Sequence, residues 1–191
     1  MKKFKKLLAG FMTLAMLVTM LPATVLADDV KTYSVGEGQT YETLSDAVAQ
    51  VSADSAINVI YEIYGEVTIN ATGVYSVAGS TVESVAFVGV GNGAALTFNA
   101  AATSNYLSAS ADKVSFENLT LERTGACGFA GNIGFLGELF GIWTSGEVTY
   151  TECDFPEGAV TFSPKTTFTQ CEFVSAYNPS ASKYKFGLWA Y

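Results

Sequence analysis

The sequence predicts an all-β chain wound as a right-handed parallel β-helix behind a short capping helix. Three observations lead there: an ungapped internal repeat, columns of apolar residues that stay in step through the copies, and one helical face ahead of the first strand.

The repeat is clearest in two consecutive segments. Ile142–Phe155 (IWTSGEVTYTECDF) matches Val160–Phe173 (VTFSPKTTFTQCEF) at an offset of 18, with Ser, two Thr, Cys and Phe identical. Looser copies begin at Val85 and Val114. Phe87, Phe116, Tyr150 and Phe168 then fall in one column, and Val90, Leu119, Cys153 and Cys171 in another three places on. Side chains three apart on a flat strand face opposite ways, so both columns turn inward only if the chain bends between them. The bend position reads Gly89, Asn118, Glu152 and Gln170; Gly and Asn enter the left-handed region most readily. Coils of this kind stack through parallel pairing ~4.8 Å apart. A β-sandwich also has short strands and frequent turns, but it does not require ungapped copies with columns in register.

Ahead of these coils, Thr43 and Asp46 form a capping-box pair, and Leu44, Ala47, Val48 and Val51 line one helical face. This helix is expected to cover the end of the stack. Ile57, Val59, Tyr61 and Ile63 then alternate, Gly65 breaks the run, and Val67 and Ile69 resume it, which predicts two strands around a turn.

Residues 1–27 read as an export signal. Lys2, Lys3, Lys5 and Lys6 precede an apolar run from Leu7 to Leu21, and Val25-Leu26-Ala27 places small or modest side chains where a signal peptidase reads, so cleavage is expected before Asp28. Pro22 keeps the run below the ~20 residues of a spanning helix. With no later apolar segment of that kind, the mature chain is expected to be secreted or held at the cell surface without inserting in a membrane. Residues 28–191 are expected to be the N-terminal part of the β-helix domain. The coil start seen at Ile142 and Val160 recurs at Leu188 and stops after four residues, which predicts further coils beyond Tyr191.

Cleavage would leave 6 basic against 18 acidic residues, a formal charge of −12. A surface so acidic repels phosphate backbones, and nucleic acid is excluded as a partner.

With Tyr41–Ala47 leading into Ile57–Ile60, the chain resembles the pectin-lyase-like family of right-handed β-helices. Within that family it is similar to secreted surface proteins built from aromatic-x-Asn-Cys-x-Phe coils and Trp-x-Tyr strands. Tyr150-Thr-Glu-Cys153-Asp-Phe155, Phe168-Thr-Gln-Cys171-Glu-Phe173 and Trp189-Ala-Tyr191 carry the likeness. Glu152 and Gln170 stand where that pattern has Asn, so a continuous asparagine ladder is not expected. The resemblance covers roughly residues 30–191 and implies a fold more than an activity. Active members of the family cleave polysaccharides by calcium-assisted elimination with a basic proton acceptor, or by hydrolysis between carboxylates.

Little in this chain matches those chemistries. It has no His, and its only Arg, Arg123, sits in a Gly-rich stretch from Leu121 to Gly128 that reads as an insertion loop, where a solvent-exposed pair with Glu122 is expected. Asp154 and Glu172 lie on neighbouring coils and should both face outward as a solvated acidic face, with no third or fourth oxygen ligand to complete a calcium site. No catalytic residue, metal site or cofactor is therefore expected. Cys153 and Cys171 share an inward column with parallel Cβ vectors, which predicts buried thiols rather than a disulfide, and Cys127 stays unpaired in its loop.

One recurring string suggests a binding surface. Phe140-Gly-Ile-Trp143 returns as Phe186-Gly-Leu-Trp189, and with Ile142, Val160 and Leu188 in one inward column, Trp143 and Trp189 should point outward from one sheet ~10 Å apart. Flat indoles stack on the apolar faces of sugar rings. The alternative is that each packs beneath a loop such as 175–185. The expected function is a secreted or cell-surface module, non-catalytic, structural or adhesive, with a polysaccharide or cell-wall glycan as its partner. The runner-up is a piece of a polysaccharide lyase or glycoside hydrolase whose catalytic residues lie beyond residue 191.

Overall fold

A computed structural model describes residues 30–71, 74–100, 106–124, 142–156, 159–161, 163–173 and 188–190. The structure is built on parallel strands, with one helix among the described residues. Strand β1 (Val30–Gly36) leads into helix α1 (Leu44–Asp54), and β2 (Asn58–Ala71) follows it.

Local sequence explains α1. Thr43 is its N-cap, extended at φ −123°, and its hydroxyl accepts from the Asp46 N–H at 3.2 Å while donating to the Asp46 carboxylate at 2.7 Å. At the other end Ser55 turns left-handed at φ 51° and the helix stops. Leu44, Ala47 and Val51 are buried, as their spacing predicts, and join one apolar core with Tyr61 and Ile63 of β2.

β2 pairs in parallel with β4 (Ser84–Ala100), from Asn58↔Ser84 to Tyr64↔Val90 and again from Glu66↔Ala95 to Ala71↔Ala100. Gly65 does not separate two strands as expected; it bends one continuous strand at φ 66°. Val59, Tyr61 and Ile63 are buried, but Ile57 is 37% exposed and Ala56 is buried in its place, because the strand starts only at Asn58.

Beyond β4 each turn of chain visits three strand positions. The first half of β4 pairs with β6 (Lys113–Glu117), which pairs with β9 (Glu147–Thr151), which pairs with β12 (Lys165–Thr169). The second half pairs with β7 (Thr120–Thr124), then β10 (Asp154–Phe155) and β13 (Glu172–Phe173) follow. A smaller sheet joins β3 (Val74–Ser76), β5 (Tyr106–Ala109) and β8 (Ile142–Thr144), and β11 (Ala159–Thr161) pairs with β14 (Leu188–Ala190). The result is a curled, solenoid-like set of parallel sheets.

The aromatic column is present as the sequence predicts. Register aligns Phe87, Phe116, Tyr150 and Phe168, and their rings stack at 4.8, 5.1 and 4.9 Å with interplanar angles of 6°, 11° and 9°. Tyr61 extends the column one coil earlier, 5.1 Å from Phe87, and Phe155 and Phe173 form a second stack at 5.0 Å. Such pairs add about 0.5–1.5 kcal/mol each beyond the area they bury.

The bends hold at three of the four expected positions. Asn118, Glu152 and Gln170 have φ of 53°, 52° and 54°. Asn118 N–H donates to the Thr151 carbonyl of the next coil at 3.0 Å, and Glu152 N–H to that of Thr169 at 2.9 Å. Gly89 is different. In this coil the left-handed residues are Gly91 and Gly93, at 83° and 78°, and Ala94 rather than Val90 occupies the inward column of Leu119 and Cys153. β4 inserts extra residues opposite Gly65, so its bend falls later than the alignment places it. Gly89 is needed for another reason: a Cβ there would run into the Asn118 backbone carbonyl and the Ala94 side chain.

Candidate functional site

Trp143 sits in the middle of β8, between buried Ile142 and buried Thr144, and is 50% exposed. Alternation on a strand sends it outward. The Thr144 hydroxyl donates to the Ala111 carbonyl at 3.2 Å and accepts from the Gly146 N–H at 3.0 Å, which fixes the strand beneath the indole. Gly146 has no room for a side chain, since a Cβ would meet the Ala111 and Asp112 carbonyls.

Trp189 lies on β14, whose partner is β11, not β8. The register joins Val160 to Trp189 and Ala159 to Leu188, so the expected inward column of Val160 and Leu188 is displaced by one residue. A one-residue slip exchanges the faces of a strand, so the two halves of the recurring string are not equivalent in the register. The Trp189 side chain is outside the described residues, as is Cys127.

Arg123 is not in an exposed loop beside Glu122. It belongs to β7 and is 2% exposed, with its guanidinium carbon 5.0 Å from the centre of the Phe98 ring, its register partner on β4. Adjacent strand residues point to opposite faces, so Glu122 and Arg123 diverge. The alternation of buried Leu121 and Arg123 with partly exposed Thr120 and Glu122 continues the strand up to the Gly-rich residues.

Cys153 and Cys171 are both free thiols, as expected, but only Cys153 is buried; Cys171 is half-buried. Burial pushes the Cys153 thiol up to about 12, with the backbone hydrogen bond to Leu119 opposing it. Asp154 and Glu172 are register partners and both exposed. Among the described residues no group of three or more His, Cys, Asp or Glu could hold a metal ion. Glu117 is half-buried, and desolvation first, then the Glu152 carboxylate, holds its carboxyl above the ordinary value.

Two further features were not foreseen. A cleft of about 270 Å³ opens between the first turn of α1 and strands β2 and β3. Leu44 and Ile69 form its apolar part, while Thr43, Ser45, Thr68, Asn70 and Tyr75 supply hydroxyl and amide groups. The Ser45 and Tyr75 hydroxyls hydrogen-bond at 3.0 Å across it, and burial raises the Tyr75 phenol, keeping it neutral. From the rim at Asn70 a row of exposed polar side chains continues: Asn99 Nδ2 donates to Asn70 Oδ1 at 2.8 Å, and Thr124 Oγ1 donates to Asn99 Oδ1 at 3.1 Å. The alternation Thr68, Asn70 and Thr97, Asn99 was visible in the sequence; that the two runs pair in register was not.

The fold and these surfaces define a parallel β, solenoid-like protein whose described residues include a polar outer row and the exposed indole of Trp143. Comparison with known protein families, curated proteins and solved structures finds no match to this chain.

Proposed function

We propose that the chain is an exported β-helix module that binds glycans at its outer surface and performs no catalysis itself. The half-exposed Trp143, held outward by buried neighbours on both sides, carries this reading. A large flat side chain so placed offers the apolar surface that pyranose rings favour. The parallel coils wind to the right, as parallel connections within a sheet do in ~98% of cases. The basic and apolar start of the sequence acts as an export signal removed before Asp28, which puts the module outside the cell. Arg123, the single Arg, is buried against Phe98 and so does not present its guanidinium to a polymer in solution. The resemblance to secreted surface β-helices agrees with a structural or adhesive role.

Two measurements test the proposal. Protein recovered from outside the cells should begin at Asp28 by N-terminal sequencing, and its retention on immobilised cell-wall polysaccharide should fall on Trp143→Ala. Retention of Met1, retention unaffected by the substitution, or release of unsaturated or reducing ends from the polymer would each sink it.

A further inference from the structure

We infer that the cleft between α1 and strands β2 and β3 is a binding site for a single ring of a neutral saccharide, whose next ring lies along Asn70, Asn99 and Thr124. The inference rests on the glycan-binding reading but names a different place from Trp143 and a narrower ligand class.

Size comes first. A volume of about 270 Å³ falls just under the ~300–1,000 Å³ of sites for drug-sized ligands, which suits one ring rather than a chain. The chemistry of the walls selects what kind of ring. Apolar Leu44 and Ile69 meet hydroxyls from Thr43, Ser45, Thr68 and Tyr75 and the amide of Asn70, so the cleft is part apolar and part neutral hydrogen-bonding, like a sugar itself. No lining residue is cationic, and the whole chain carries a formal charge of −8. Uronic or sulfated sugars would find no counter-charge and a repulsive field, whereas uncharged ones lose nothing.

Rigidity supports the same site. The Ser45–Tyr75 hydrogen bond ties α1 to β3, so the opposing walls are set before a ligand arrives, which lowers the ordering cost of binding. The row from Asn70 to Thr124 then extends across three strands ~4.8 Å apart, enough for a second ring.

The test is a titration of the ¹⁵N-labelled exported protein with maltotriose, cellotriose and xylotriose, and with trigalacturonate as the acidic counterpart. At least one neutral trisaccharide should shift the amide signals of Ser45, Thr68 and Asn70, with trigalacturonate shifting none of them. Asn70→Ala should weaken that binding about tenfold and Tyr75→Phe severalfold, each removing hydrogen-bonding groups while leaving the dispersed spectrum of a folded protein. Trp143→Ala should leave it unchanged. Tighter binding of trigalacturonate, or silence at the three amides with every neutral probe, overturns the inference. Shifts confined to the surroundings of Trp143 and abolished by Trp143→Ala overturn it too, while leaving the proposed function standing.

Discussion

Replacing Glu152 by Asn should stabilise the protein, because Glu152 holds a backbone conformation that suits its side chain poorly. Its φ of 52° lies in the left-handed region, which costs an ordinary L-residue roughly 1–2 kcal/mol and Asn distinctly less. Asn118 shows what Asn gains at the equivalent bend one coil earlier: its Nδ2 donates to the Gly89 carbonyl at 2.8 Å. A comparable bond at residue 152 is worth about 1 kcal/mol net. Relief of the backbone adds about half of its cost, so the total expected gain is about 1.5–2 kcal/mol, equivalent to roughly 3–8 °C in a chain of this length. Thermal unfolding followed by circular dichroism at neutral pH measures it. Glu152→Ala is the comparison, since it also removes the carboxylate facing Glu117 but keeps a side chain that pays the left-handed penalty without a compensating bond. An Asn variant no more stable than the Ala variant would refute the argument.

Other perturbations have equally definite outcomes. Alkylation at mildly alkaline pH should label Cys171, which is half-buried, well before Cys153, whose thiol burial raises to about 12; a Cys153–Cys171 crosslinked peptide from the native protein would contradict the aligned, unbonded thiols. Gly89→Ala should destabilise by ~3 kcal/mol or more, read from the urea midpoint, because its methyl group would enter the Asn118 carbonyl; a variant with an unchanged midpoint would show that the coils separate easily there. Glu117 has a folded-state value above its unfolded one, so its stabilising contribution is present in acid and is lost as pH rises above about 4.5 through the folded value. Glu117→Gln should therefore be more stable than the parent at pH 7 and flatten that part of the stability profile, and a variant that keeps the slope would assign it to another group.

The sequence by itself determined the features that repeat locally. The aromatic column of Phe87, Phe116, Tyr150 and Phe168, the bends at Asn118, Glu152 and Gln170, the aligned free thiols and the capped helix were all legible, because each follows from spacing within one coil or identity between ungapped copies. Only the tertiary structure decided where inserted residues go. It moved the β4 bend to Gly93, put Ala94 in place of Val90, turned Arg123 into the core, joined Trp189 to Val160, and aligned Asn70, Asn99 and Thr124 into one row. The physical reason is the two-residue period of a strand: a single inserted residue exchanges inside for outside, and the length of an insertion does not reveal how the hydrogen-bond ladder will absorb it.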